Sequence, residues 1–337
     1  MGVNLSSLVP KHEITFEELN NKKIAVDASQ MLYQFLSSIR QQDGTPLMDS
    51  QSRVTSHLVG LSSRIPNLMM KGLKLCFVFD GIPPKLKQGE LANRQERKSI
   101  ASEKLKEAKD KEDYEAIMRY TKQSVRVYQE MIDESKQFLS SLGLPIIQAP
   151  SEAEAQAAHL AEKKDVDFVA SSDYDSLLFK APYMVRNLTL SSRRKLPSGG
   201  YINITPESIS LKETLDALDI TQDQLILLAI LIGTDFNPSG IKGIGPQKAL
   251  KLVKENKSPE TLFSKFETEF NWKEIFNLFK KMPVEKHYRL EWKKPDKDKI
   301  RELLLSHDFN EERVHSLIEK LTQHNKAKAQ ADLNKWF

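Results

Sequence analysis

A chain of 337 residues with 39% hydrophobic and 28% charged positions has enough apolar side chains for one large domain or two modest ones. Its formal net charge of +4 sums 50 Lys and Arg against 46 Asp and Glu, a balance in which acidic and basic regions can segregate, as suits a polyanionic partner held around a cation centre. The single cysteine, Cys76, excludes disulfides and thiolate metal sites, and with no apolar stretch of membrane-spanning length and no secretory leader the chain is expected to be soluble and intracellular.

Met1-Gly2-Val3-Asn4-Leu5-Ser6 formally fits a myristoylation signal, but no polybasic segment beside it supplies the second anchor that stable attachment needs, so lipidation is not expected. Lys23-Ile24-Ala25-Val26 reads as a buried strand near 22–27 ending at Asp27, with helices near 28–42 and 52–70. Tyr33 and Arg40 fall on the helix leaving that strand. The plain reading of Tyr33 is a core aromatic; the alternative is a platform on which bases stack. Leu75-Cys76-Phe77-Val78-Phe79 is a strand near 73–79 that ends at Asp80. Strand alternating with helix implies an α/β fold, a mostly parallel central sheet flanked by helices.

From about 85 to 135 dense Lys, Arg and Glu with few apolar positions predict a charged helical insertion. Lys87, Leu91, Arg94 and Lys98 recur at seven- and four-residue steps, which puts three cations on one helical face. A solvated, salt-bridged surface is the default for such a run and is accepted for 101–116. The stretch 85–98 directly follows Asp80-Gly81-Ile82-Pro83-Pro84 and so begins beside an acidic residue, which makes Lys87 and Arg94 candidates for gripping a phosphate and stabilising its developing charge.

Leu142 to Ile147 restores a short strand. Ser151 and Glu154 have the spacing of a capping box opening the next helix, yet capping leaves Glu152 unexplained, and both roles can coexist. A strand near 166–171 leads into Asp173-Tyr174-Asp175, which alone reads equally well as a polar turn. A hairpin is expected through 183–205, its turn at Pro197-Ser198-Gly199-Gly200. From 206 onward the chain reads as helical. The apolar helix Leu225–Ile232 and its stop, Gly233, deliver Asp235, whose bland reading is a loop turn with Asn237-Pro238.

Gly240-Ile241-Lys242-Gly243-Ile244-Gly245-Pro246-Gln247-Lys248 reads as the turn of a helix-hairpin-helix element over 222–256. Its glycines let backbone N–H groups approach phosphate, Pro246 suits a first helical position, and Lys242 and Lys248 flank the turn. Contacts of that kind hold a duplex without reading its bases. The last folded helix is expected near 311–323, followed by a flexible tail over 324–337. That tail ends in Gln330-Ala331-Asp332-Leu333-Asn334-Lys335-Trp336-Phe337, whose exposed apolar cluster reads as a docking peptide.

Asp27, Asp80, Glu152, Glu154, Asp173, Asp175 and Asp235 each sit where a hydrophobic run gives way to a turn, with no histidine or cysteine beside them. In open α/β sheets the carboxyl ends of parallel strands line one crevice, so acids scattered along the chain can converge there. Gathered carboxylates repel unless cations neutralise them, and all-oxygen ligation favours Mg²⁺ or Mn²⁺.

Taken together, Val26-Asp27-Ala28-Ser29, Phe77 to Lys87, Ala149-Pro150-Ser151-Glu152-Ala153-Glu154-Ala155, Ser172-Asp173-Tyr174-Asp175 and Gly233-Thr234-Asp235-Phe236-Asn237 resemble the flap endonucleases, in an order and spacing that span nearly the whole chain. The resemblance, closest in form to archaeal members, implies a PIN-like 5′ nuclease fold with a helical arch at 85–135, acting on DNA carrying 5′ flaps in Okazaki-fragment maturation and repair. It implies two Mg²⁺, or Mn²⁺ in their place, with Asp27, Asp80, Glu152 and Glu154 at one and Asp173, Asp175 and Asp235 at the other. Lys87 and Arg94 match the phosphate-gripping pair, and Tyr33 the residue stacking near the scissile nucleotide. Gly2 matches an N-terminal segment packed near the site, and Gln330, Leu333, Trp336 and Phe337 a sliding-clamp-binding box. A monomer is expected. The chain departs from the family at Ala153, at Ser239, and at Ser62-Ser63 with Pro66, which would interrupt a helix. Rival readings are a nuclease acting chiefly as a 5′ exonuclease, a non-catalytic clamp-bound scaffold, and an RNA-processing enzyme.

Overall fold

The computed structural model describes residues 2–41, 43–189, 193–195, 200–256 and 258–333, with side chains outside 193–195, 201–203 and 324–333. In chain order come β1 (His12–Glu13), β2 (Lys23–Asp27), α1 (Ala28–Ser38), α2 (Ser56–Met70), β3 (Lys74–Phe79), a 3₁₀ turn (Lys85–Lys87), α3 (Gln88–Asp110), α4 (Tyr114–Gln123) and α5 (Gln129–Ser141). Next are β4 (Ile146–Gln148), α6 (Ala153–Glu162), β5 (Phe168–Ala170), α7 (Asp175–Leu178), β6 (Tyr183–Arg186), β7 (Arg193–Lys195), β8 (Tyr201–Asn203) and β9 (Glu207–Ser210). Helices complete the chain: α8 (Leu211–Leu218), α9 (Gln222–Ile232), α10 (Pro246–Glu255), α11 (Pro259–Phe263), α12 (Trp272–Lys280), α13 (Lys297–Leu305) and α14 (Glu311–Leu333).

The chain divides into two compact units. The first, Met1–Ser29, Val78–Arg94 and Ile147–Tyr288, holds part of every strand of a seven-stranded sheet ordered β1-β9-β6-β5-β2-β3-β4. β2 pairs with β5 and β5 with β6 in parallel, while β9 runs antiparallel to β6 and β1. The register Val26↔Ala170 makes Asp27 and the segment after β5 leave the sheet at the same edge. Residues 80–82 zip against 149–151: Gly81 N–H donates to Ser151 O at 2.6 Å, and Ile82 N–H to Pro150 O at 3.1 Å. A methyl at Gly81 would lie 2.1 Å from Ala149 O, so only glycine permits the approach that sets Asp80 beside the start of α6. α9 is apolar around its circumference, and Leu225 through Leu231 are all buried.

The second unit is Gln30–Phe77, Gln95–Ile146 and Arg289–Phe337. Phe35, Leu58, Leu61, Ile65 and Phe138 form its buried interior, where Gly60 lets α2 close on Phe35: a methyl there would sit 2.4 Å from Cγ. The charged helices carry a small core of their own, Ala108, Ala116 and Ile117 covered by Leu105 and Tyr120. Glu134 of α5 joins two other segments, accepting from His57 Nε2 on α2 at 2.8 Å and from His307 Nε2 after α13 at 3.0 Å.

Several expectations change. β1 and β9 carry no local signal and exist through their pairing, so the chain is not uniformly helical from 206. β6 joins the main sheet, and the hairpin is β7–β8, paired Arg194↔Ile202; its turn residues 196–199 lie outside the described ones. α2 runs unbroken through Ser62, Ser63 and Pro66, the two hydroxyls bonding to Val59 O and Gly60 O in the turn before. α14 continues to Leu333, beyond the expected limit of 323.

Candidate active site

All seven carboxylates lie in the first unit. Asp27, the last residue of β2, is 7% exposed, and Asp175, the first residue of α7, is 6% exposed. Asp80 Oδ1 accepts the N–H of Ala153 at 2.8 Å and thereby satisfies a free donor at the start of α6. The capping box expected from Ser151 and Glu154 does not form: Glu152 is the N-cap residue, Ser151 Oγ donates to Ile82 O at 3.0 Å, and Glu154 turns toward the strand ends. There Ser171 Oγ donates to Glu154 Oε1 at 3.2 Å and accepts from Asp173 N–H at 3.1 Å.

Electrostatics link the group. Burial first, then the charges of Asp175, Asp173 and Asp27, holds Glu154 well above the ordinary carboxylate range. Asp175 is pushed up to about 7 by burial and by Asp235 and Asp173, against the pull of the Val3 N–H that donates to its Oδ1 at 2.8 Å. A methyl at Gly2 would lie 2.6 Å from the same oxygen, so the N-terminal segment is fitted against this carboxylate. Burial raises Glu152, and Asp80 and Asp235 add to that, while Lys87 opposes them. Asp235 goes the other way: burial is outweighed by Lys87 and Arg94.

Lys87 Nζ is bonded to Glu152 Oε2 and lies 3.2 Å from Asp235 Oδ2. Arg94 Nη2 reaches Asp235 Oδ1 at 2.5 Å, and its Nε reaches Glu90 Oε1 at 2.9 Å. Both cations are held charged above their ordinary values by these carboxylates, although burial pulls the other way. Lys87 belongs to the 3₁₀ turn that runs directly into α3 and not, as expected, to one helix with Arg94 and Lys98, yet it and Arg94 converge on the two oxygens of Asp235. Among the described residues no three acids stand ready-spaced around one point, and two of them, Glu152 and Asp235, close on Lys87 and Arg94. The donor set is all carboxylate oxygen, partly buried, with seven acids against two cations, a composition that fits hard divalent ions.

The XPG N-terminal domain family matches residues 1–101 and the XPG I-region family residues 143–235, together covering all seven acids. Flap endonuclease 1 of Thermococcus onnurineus is 49% identical over 339 residues, covering 100% of this chain and 99% of the relative. The chain belongs to the flap endonuclease 1 family. Flap endonuclease 1 of Staphylothermus marinus is 48% identical over 350 residues, covering 100% of both chains. The solved flap endonuclease-1 of Methanococcus jannaschii superposes with a TM-score of 0.77 at 40% identity, over 97% of this chain and 100% of that one. The catalytic core of Rad2 in complex with DNA substrate shares the fold, with a TM-score of 0.71 at 24% identity over 95% of this chain and 100% of that one.

The remaining positions of interest in this chain separate into two groups. In the first unit, Gly243 (φ 78°) and Gly245 face open space, Lys242 and Lys248 are exposed, and Pro246 opens α10 as expected. Gly240 serves packing instead: its N–H donates to Asn237 O at 2.9 Å, and a methyl there would lie 2.3 Å from Ile232 O. In the second unit Tyr33 is 39% exposed, not a core aromatic, with its hydroxyl on Lys122 O at 3.2 Å and Lys98 Nζ 5.6 Å from its ring centroid. Arg40 lies beyond the end of α1, not on it, and its donors hold Leu36 O at 2.7 Å and Gly44 O at 3.0 Å. Gln330 and Leu333 lie within α14, and Trp336 and Phe337 lie outside the described residues. Ser171 escaped the sequence reading because a serine before an acidic turn carries no distinguishing signal.

Proposed function

We propose that this chain is a divalent-cation-dependent, structure-specific nuclease that cuts DNA phosphodiesters at the base of 5′ flaps and also acts as a 5′–3′ exonuclease, leaving 5′-phosphate and 3′-hydroxyl ends. The observation that carries this reading is the acid cluster closed on Lys87 and Arg94 at one sheet edge, in a chain matched end to end by flap endonuclease 1 relatives. Asp27, Asp80, Glu152 and Glu154 would hold one Mg²⁺ and Asp173, Asp175 and Asp235 a second, with Mn²⁺ as substitute. Such ions, when bound, supply positive charge at the scissile phosphate and activate water.

The chain's own groups do the rest. Lys87 and Arg94 exchange their carboxylate partners for oxygens of the scissile phosphate, where a charged donor in a partly dry site stabilises growing negative charge. Val3 N–H and Ser171 keep Asp175 and Glu154 aimed inward. Tyr33, with Lys98 over its ring, offers a stacking surface for a nucleotide drawn out of the duplex. Gly243, Gly245, Lys242 and Lys248 grip duplex phosphates without reading bases. Gln330, Leu333, Trp336 and Phe337 would dock on a sliding clamp, and the enzyme would act as an intracellular monomer in Okazaki-fragment maturation and repair.

The test uses 5′-labelled DNA and RNA flaps with Mg²⁺, with and without chelator. Release of intact DNA flaps only when Mg²⁺ is free supports the reading. Mononucleotide release alone, preference for RNA, or binding without cleavage each selects a rival.

A further inference from the structure

Asp173 and Asp175 flank Tyr174 in a turn between β5 and α7. One side chain from a different strand holds that turn. Arg186, the last residue of β6, donates from Nε to Ser172 O at 3.2 Å and from Nη1 to Tyr174 Oη at 2.9 Å. Its guanidinium centre lies 4.8 Å from the Tyr174 ring centroid, and Tyr174 is buried. Glu207, its cross-strand neighbour on β9, stands 3.6 Å from Nη1 and holds the guanidinium in place. Arg186 thus touches the chain on both sides of Asp173, through the backbone before it and the aromatic ring after it.

We infer that Arg186 is a positioning residue for the nuclease site, a clamp on the Ser172–Asp175 turn that sets the affinity of Asp173 and Asp175 for a divalent cation. The inference rests on the proposed role of those two carboxylates as cation ligands. It depends on a forked cation: separate nitrogens of the guanidinium donate to Ser172 O and Tyr174 Oη at once, while its central carbon stays 4.8 Å from the Tyr174 ring centroid, a combination that the single nitrogen of an ammonium does not reproduce. Loss of a partner bonded directly to a ligating side chain typically weakens metal binding about 10- to 100-fold, and Arg186, which acts through the turn that carries the ligands, is placed at the low end of that range.

The experiment measures Mn²⁺ binding to the DNA-free protein by electron paramagnetic resonance for Arg186→Ala, Arg186→Lys and, as reference, Asp173→Asn. Cleavage is followed across a Mg²⁺ titration, flap binding is measured in Ca²⁺, and melting temperature checks the fold. Both Arg186 variants are expected to bind Mn²⁺ roughly tenfold more weakly. They should need correspondingly more Mg²⁺ for half-maximal cleavage, recover turnover at saturating Mg²⁺, and bind flaps as the parent does. If Arg186→Ala does not fold, Arg186→Lys decides, since it keeps a positive charge opposite Glu207. Parent-like Mn²⁺ binding in Arg186→Lys overturns the clamp, whatever Arg186→Ala shows. Parent-like binding in Asp173→Asn overturns the ligand reading and the clamp with it.

Discussion

Asp173 and Gly2 show two ways in which single residues matter at this site. Asp173 is partly buried and contributes to the repulsion that raises Glu154 and Asp175. Its replacement by alanine is expected to abolish cleavage while leaving flap affinity, measured by fluorescence anisotropy in Ca²⁺, largely intact; near-normal turnover in Mg²⁺ would refute its role. Gly2 acts through space it leaves empty. Gly2→Ala puts a methyl 2.6 Å from Asp175 Oδ1, so either the N-terminal segment or the carboxylate must shift and the Val3 N–H bond at 2.8 Å is strained. A raised Mg²⁺ requirement with an unchanged melting temperature is the expected result, and an unaltered Mg²⁺ titration would show that the segment yields freely.

Elements add what single residues lack, a fixed direction. The turn before α10 leaves Gly243 and Gly245 open, with Lys242 exposed in it and Lys248 exposed on α10, its Nζ donating to Gly243 O at 3.4 Å, so the proposed grip on phosphate has a salt signature. Replacing Lys242 or Lys248 by alanine should flatten the slope of log affinity against log salt by about one for each lysine removed, uniformly across DNA sequences; an unchanged slope would place the duplex elsewhere. In the second unit, Glu134 fastens α2, α5 and the segment after α13 through His57 and His307. Burial alone would raise Glu134, but hydrogen bonds from His57 and His307 bring it below its ordinary value of 4.5. A depressed carboxylate stabilises the fold above its unfolded value and loses that stabilisation as pH falls through the folded one. Glu134→Gln should therefore lower stability at pH 7 by about 1 kcal/mol, the difference between charged and neutral hydrogen bonds, in denaturant titrations. The gap should close as pH drops below 4.5, and a gap independent of pH would mean that charge is not involved.

At the scale of the whole molecule, the proposed cleavage site and the proposed clamp-docking segment lie in different parts of the chain. Deleting residues 330–337 is expected to leave flap cleavage in isolation unchanged and to remove its stimulation by a sliding clamp, compared in parallel with and without clamp; stimulation that survives would move the docking site elsewhere. The amino-acid sequence by itself determined the strands at β2 and β3, the charged helices after Asp80, the helix-stopping Gly233 and the glycine turn before α10, because each is written in neighbouring residues as periodicity, charge density or backbone freedom. It also marked the seven acids, Asp27 and Asp80 by the hydrophobic runs they end, and the others through the order and spacing of the whole set, since each of those taken alone has a turn or cap reading. Only the tertiary structure decided what those acids face. Lys87 bridging Glu152 and Asp235, Val3 N–H on Asp175, Ser171 between Glu154 and Asp173, and Arg186 over Tyr174 join positions brought together by sheet order and strand register. β1 and β9 were illegible for the same reason, because a strand of a few residues is stabilised by its partner and carries no sufficient pattern of its own.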